Sequence, residues 1–109
     1  MRIERELMRG AGPVAVLRLL TAGETYGYEL VKMLERKSDG VLAMGQGTLY
    51  PLLYNLQAKG MVASRLDVSH ARPRKYYRIT EKGKRHLEHE AHQWQALSDA
   101  MTRLGITSD

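Results

Sequence analysis

The sequence predicts a mainly α-helical domain carrying one small β-hairpin, and three observations point there. Apolar residues recur at helical spacing through three successive stretches before Gly60, period-two alternation appears only between Met61 and Thr80, and the last stretch returns to a seven-residue apolar repeat. The 109 residues fit one ordinary domain. Hydrophobic residues at 43% and charged residues at 27%, with only three prolines, place the chain among globular proteins rather than disordered ones. Cysteine is absent, which excludes disulfide staples, cysteine-rich zinc sites and thiol nucleophiles together.

Each element follows from local signals. Pro13 suits a first helical position, and Val14, Ala15, Val16, Leu17, Leu19 and Leu20 follow with only Arg18 interrupting. A helix apolar almost all round is expected to be buried, in the core or against a second subunit. Ala22-Gly23 ends it, and Thr25 is placed to cap a second helix. There Gly27, Leu30, Val31 and Leu34 share one face while Glu29, Lys32, Glu35 and Arg36 point away. Ser38-Asp39-Gly40 breaks that helix, and a third carries Leu49, Leu52, Leu53 and Leu56 on one face before Lys59-Gly60 stops it.

Residues 61–68 (MVASRLDV) alternate, and residues 75–80 (KYYRIT) are aromatic and β-branched, so with Ser69-His70-Ala71-Arg72-Pro73 between them they read as a hairpin with a basic tip. Thr80 is placed to cap a final helix over about residues 81–104, in which Leu87, Trp94 and Met101 recur every seven residues, joined by Ala91, Leu97 and Leu104. Glu90 interrupts that stripe. An apolar stripe with no later element to cover it predicts a partner subunit, and the expected assembly is a homodimer.

Net charge is +5, and its distribution matters more than its total. Between Arg65 and Arg85 eight basic residues face two acidic ones, a local excess of +6, so the rest of the chain sums to −1. Such a cluster is the footprint of an element that contacts phosphates, or else a solvated basic loop. Three helices followed by an arginine-tipped hairpin is the order of a winged helix-turn-helix, in which the third helix enters the major groove and the hairpin lies along the adjacent backbone. Residues 1–80 are assigned to that DNA-binding unit and residues 81–109 to a C-terminal dimerisation helix.

The chain resembles PadR-type transcriptional regulators over nearly its whole length. The resemblance is carried by Thr25-Tyr26-Gly27-Tyr28-Glu29-Leu30, by Gly47-Thr48-Leu49-Tyr50-Pro51-Leu52-Leu53 with Leu56 and Gly60, and by Arg72-Pro73-Arg74-Lys75-Tyr76-Tyr77-Arg78-Ile79-Thr80 with Gly83. It implies a dimeric bacterial winged-helix repressor of the subgroup with a single C-terminal dimerisation helix, acting at an inverted-repeat operator of ATGT-like half-sites. Two positions depart from the pattern: Met44-Gly45 stands where Ser or Asn often caps the third helix, and Ala71 replaces a glycine before the arginines.

The third helix has no charged residue between Gln46 and Ala58, so the arginine-to-guanine contact is closed to it. Its outward face offers Gln46, Thr48, Tyr50, Pro51 and Asn55, with Tyr54 beside them. Gln and Asn pair best with adenine edges, and Thr, Tyr and Pro pack on thymine methyls, so the half-site is expected to be read at A·T pairs. Tyr50 and Tyr54 have a second reading, as shields over the leucines. Pro51 loses little in the first turn, whereas deeper placement predicts a kink. Arg72, Arg74 and Lys75 are assigned to phosphates or the minor groove, where they supply affinity rather than sequence information.

Trp94, with Ala91, Leu97 and Met101, is assigned to the dimer interface, where an aromatic contributes most by packing. The resemblance adds a second role, since in short regulators of this kind the interface opens into an apolar pore where a tryptophan stacks a small planar hydrophobic ligand.

Other chemistries find little support. His86, His89 and His92 step by three, so the outer two diverge by about 120° around a helix and do not grip one metal ion. Gly45-Gln46-Gly47 lacks the preceding strand and following lysine of a phosphate-cradling loop. No catalytic constellation or cofactor motif stands out, and the protein is read as a non-enzyme needing no cofactor or metal. The first ten residues alternate charges without the apolar stretch of an export signal, and the longest uncharged run, residues 40–58, is broken by polar residues, Pro51 and three glycines; a cytoplasmic protein without a membrane partner is expected. The competing reading is a winged-helix protein-interaction module that never reads DNA.

Overall fold

The computed structural model describes residues 1–108. The order is α1 (Arg5–Leu20), β1 (Thr25–Tyr26), α2 (Gly27–Lys37), α3 (Gln46–Ala58), β2 (Val62–Asp67), β3 (Arg74–Ile79) and α4 (Glu81–Arg103). The three strands form one antiparallel sheet in the order β1-β3-β2. This is the mainly helical fold with a small hairpin that the sequence predicts.

Val16, Leu17 and Leu20 of α1, Leu30 and Leu34 of α2, and Leu49, Leu53 and Leu56 of α3 converge with Val62, Tyr77 and Ile79 of the sheet into one buried cluster. Burying each such aliphatic side chain stabilises the fold by about 1.5–3 kcal/mol. The faces that meet are those the sequence spacing marks, because residues three and four apart share a helix face.

Helix α1 corrects the expectation at Pro13. The helix begins at Arg5, and Pro13 is its ninth residue. The proline removes the donor for the Arg9 carbonyl, which lies on an exposed turn within reach of water. The earlier turns join the helix because Met8 packs against the core and Gly12 is buried.

Strand β1 is absent from the sequence-based expectation. Thr25 pairs with Tyr77 and Tyr26 with Tyr76, and the Tyr26 and Tyr76 rings meet edge-on at 5.6 Å. Thr25 is therefore a strand residue, and the N-cap of α2 is Tyr26, without a side-chain cap. The free edge of β3 offers backbone partners that outweigh a helix cap.

At the end of α3, Gly60 takes φ +76°, a left-handed conformation that favours glycine. Its amide donates to the Gln57 carbonyl at 2.9 Å and that of Met61 to the Leu56 carbonyl at 2.9 Å, which closes the helix in a Schellman motif. Thr80 caps α4 as expected, its hydroxyl oxygen accepting from the Gly83 amide at 3.0 Å. That hydroxyl also donates to the Gly60 carbonyl at 2.7 Å, joining the two helix ends. Gly83 sits so close to Met61 and Ile79 that a β-carbon there would strike the Met61 carbonyl. Helix α4, of 23 residues, packs along α1.

Candidate nucleic-acid interface

The core fixes the phase of α3 and thereby its outward face. With Leu49, Leu53 and Leu56 buried, Gln46, Thr48, Tyr50, Pro51, Tyr54 and Asn55 are exposed. Gly47, Pro51, Tyr54 and Ala58 run down the middle of that face, and Thr48 and Asn55 along one flank. The N-cap of the helix is Gly45, which provides no side-chain cap. Pro51 is the sixth helical residue, past the first turn, so the Gly47 carbonyl loses its usual donor on the solvent side; α3 nevertheless runs unbroken to Ala58.

The two tyrosines separate. Tyr50 is 40% exposed, and its ring lies so near Gly27 that a β-carbon there would come 2.5 Å from the tyrosine oxygen. It faces the start of α2. Tyr54, at 74% exposed, stands on the outward face, where helical phase counted from the leucines puts it.

The hairpin pairs from Val62 opposite Ile79 to Asp67 opposite Arg74, leaving residues 68–73 as its exposed tip. Asp67 organises the turn: its carboxylate accepts from the Ser69 hydroxyl at 2.6 Å and the Ser69 amide at 2.9 Å. Those bonds, the hydroxyl first, hold its pKa below the ordinary value. Arg72 is exposed at the tip. The Arg74 guanidinium lies 4.9 Å from the Tyr26 ring and the Lys75 ammonium 5.7 Å from that of Tyr77, contacts that order both cations while leaving them exposed.

Arg65 leaves the free basic surplus. Its Nε donates to both Glu24 oxygens at 2.9 and 3.0 Å and its Nη2 to one of them at 2.6 Å, while the guanidinium lies 4.8 Å from the Tyr76 ring. The hydrogen bond from Arg65 is the main reason the Glu24 carboxyl is held below its ordinary pKa. Arg65 thus ties β2 to the turn after α1.

Of the residues assigned to the partner helix, Ala91 and Trp94 line an apolar groove of about 530 Å³ between α1 and α4. Leu97 lines a neighbouring cavity of about 560 Å³ with Trp94, His86 and Glu90, and Met101 lines neither. Opposite Trp94 stand Ile3, Leu7, Ala11 and Val14, which sequence reasoning does not assign to the groove. Their spacing of i, i+4, i+8 and i+11 is the signal that extends α1 toward its true start. Leu97 at 43% and Leu104 at 74% exposure continue the uncovered stripe. His86 faces Glu90 at 3.4 Å, and among the described residues no three His, Asp or Glu side chains converge on one point.

A helix-turn-helix with a hairpin wing beside its outward helix defines a winged-helix DNA-binding protein. The chain belongs to the transcriptional regulator PadR-like family, which it matches over residues 16–89. The transcriptional regulator Rv3488 of Mycobacterium tuberculosis is 32% identical over 94 residues, spanning 86% of this chain and 85% of that protein. The crystal structure of a PadR family regulator from Eggerthella lenta is similar with a TM-score of 0.81 at 40% identity, covering 94% of this chain and 88% of that one. A transcriptional regulator from Clostridium thermocellum gives 0.84 at 28% identity, over 90% and 96% of the two chains. The family consists of DNA-binding transcriptional regulators rather than enzymes. Among the described residues no helix is long and apolar enough to cross a membrane.

Proposed function

We propose that this protein is a homodimeric repressor of an inverted-repeat operator, with residues 1–80 binding DNA and residues 81–109 joining the two protomers. The observation that carries this reading is the uncharged outward face of α3 beside a cationic hairpin. Gln46, Thr48, Pro51 and Asn55 read A·T edges and methyls in the major groove, with Tyr50 at the margin of the contact. Arg72, Arg74 and Lys75 hold the adjoining backbone. The uncovered stripe of α4 supports pairing of two chains, which spaces the two reading helices by one turn of DNA, roughly 34 Å, or a multiple of it.

The groove at Ala91 and Trp94 is of a size and polarity for a small planar hydrophobic effector, and its place along α4 would couple occupancy to the spacing of the reading helices. Selection from random duplexes tests the main reading. The expected product is a two-fold symmetric motif rich in A·T at its inner positions. Recovery of no enriched sequence would instead support the protein-interaction module.

A further inference from the structure

Four cations gather where the charge pattern of the sequence does not put them. Arg2, Arg5, Arg9 and Lys59 line a cavity of about 550 Å³ between the start of α1 and one flank of α3, with Glu4 the one carboxylate in the lining. All four are exposed, and among the described residues none enters an ion pair. The segment before α1 is anchored, since the Ile3 amide donates to the Val41 carbonyl at 3.0 Å, which holds Arg2 near the other two arginines. Four cations beside a single carboxylate leave a local positive excess, which concentrates anions from solution.

Thr48 and Asn55 of the reading face line the same cavity. Residues two apart on a helix lie about 200° apart around its axis, so the flank with Thr48 and Asn55 faces away from the flank with Tyr50 and Gln57. Gln57 accepts from the Ser64 hydroxyl of β2 at 3.2 Å and Tyr50 lies on Gly27, so the sheet and its hairpin occupy that second flank. A helix seated in the major groove, about 12 Å wide, has a phosphate ribbon on either side. The hairpin reaches one ribbon and leaves the other without a cation from the segment that carries the charge surplus.

We infer that Arg2, Arg5, Arg9 and Lys59 form a second phosphate-binding site, which takes the DNA backbone on the side of α3 opposite the hairpin. Each protomer then grips both walls of the groove. The inference rests on α3 being the helix that enters it.

The test uses the full-length protein and the duplex recovered by selection, beside an unrelated duplex. The variants are Arg5→Gln with Arg9→Gln, Lys59→Gln alone on a different element, and Arg103→Gln in the last turn of α4 as a charge-matched control. All are exposed positions where glutamine suits a helix. Binding is measured from about 50 to about 200 mM salt, where the slope of log K against log salt falls by about 0.9 for each phosphate that the protein ceases to neutralise. The slope is expected to fall by the equivalent of about two phosphates per protomer for the arginine pair and about one for Lys59→Gln, on both duplexes and with base preference unchanged. Arg103→Gln keeps the wild-type slope, and ethylating the phosphates opposite the hairpin weakens wild-type binding but not that of the arginine variant. Wild-type slopes in the first two variants, or an equal drop in Arg103→Gln, overturn the inference while leaving the reading of α3 intact. Failure of wild-type protein to select any duplex removes that reading and this inference with it.

Discussion

Twelve hydrophobic side chains between Val16 and Ile79 are each 9% exposed or less, whereas along the 23 residues of α4 only Gly83 is buried. The first region closes its core with its own helices and sheet. The second spends its apolar residues, Leu87, Trp94 and Leu97 among them, on a surface that one copy of the chain leaves partly open. The same spacing rule generates both, so periodicity locates an apolar face and the count of neighbouring elements decides whether that face is core or interface.

The contrast is sharpest under truncation. Leu53→Ala opens a cavity in the closed core and is expected to cost about 2–5 kcal/mol at any protein concentration. Trp94→Ala is expected to lower stability in a concentration-dependent way, by weakening association. Urea denaturation at two protein concentrations, with sedimentation equilibrium, separates the two; identical concentration dependence would mean that Trp94 packs within one protomer as Leu53 does. Next comes the joint between the regions. Gly83→Ala drives a β-carbon into the Met61 carbonyl, a backbone atom with little room to retreat, and about 3 kcal/mol or more is expected to be lost. A denaturation midpoint unchanged by that substitution would mean that α4 is not docked through Gly83.

A smaller effect is expected at Thr80, whose hydroxyl caps α4 and reaches back to Gly60. Thr80→Ala costs about 1 kcal/mol by the same denaturation assay, and Thr80→Ser restores most of it. The smallest belongs to the exposed pair Glu24 and Arg65. The folded carboxyl is held below its ordinary pKa, so its contribution is present above the carboxylate range and is lost as pH falls through it. Glu24→Gln is expected to narrow the gap between denaturation midpoints at neutral and acid pH, and a gap left at its wild-type width would show that the pair contributes nothing.

Much of the fold is legible in the sequence, for reasons visible in particular residues. The leucines of α3 fix which of its residues face outward, Lys59-Gly60 marks its end, and Thr80 marks the start of α4, all within a single turn of sequence. Three features are not. The first turns of α1 carry Gly10, Gly12 and alternating charges that read as loop, because their apolar stripe is one residue wide until α4 is laid beside it. Strand β1 has two residues, too few for a period. Groupings that form only across the chain, the Glu24–Arg65 hydrogen bonds and the shared cavity lined by Arg5, Arg9 and Lys59, join residues 41 or more positions apart and leave no local trace.

The central claim is that an uncharged helix reads the operator. Substituting every base pair of one half-site in turn, and measuring the change in binding free energy, tests it most directly. The account predicts losses of about 1–3 kcal/mol concentrated at the A·T pairs beneath Gln46, Thr48 and Asn55, with Asn55→Ala abolishing only the loss at the pair beneath Asn55. Losses confined to G·C pairs, with A·T changes neutral, would contradict it.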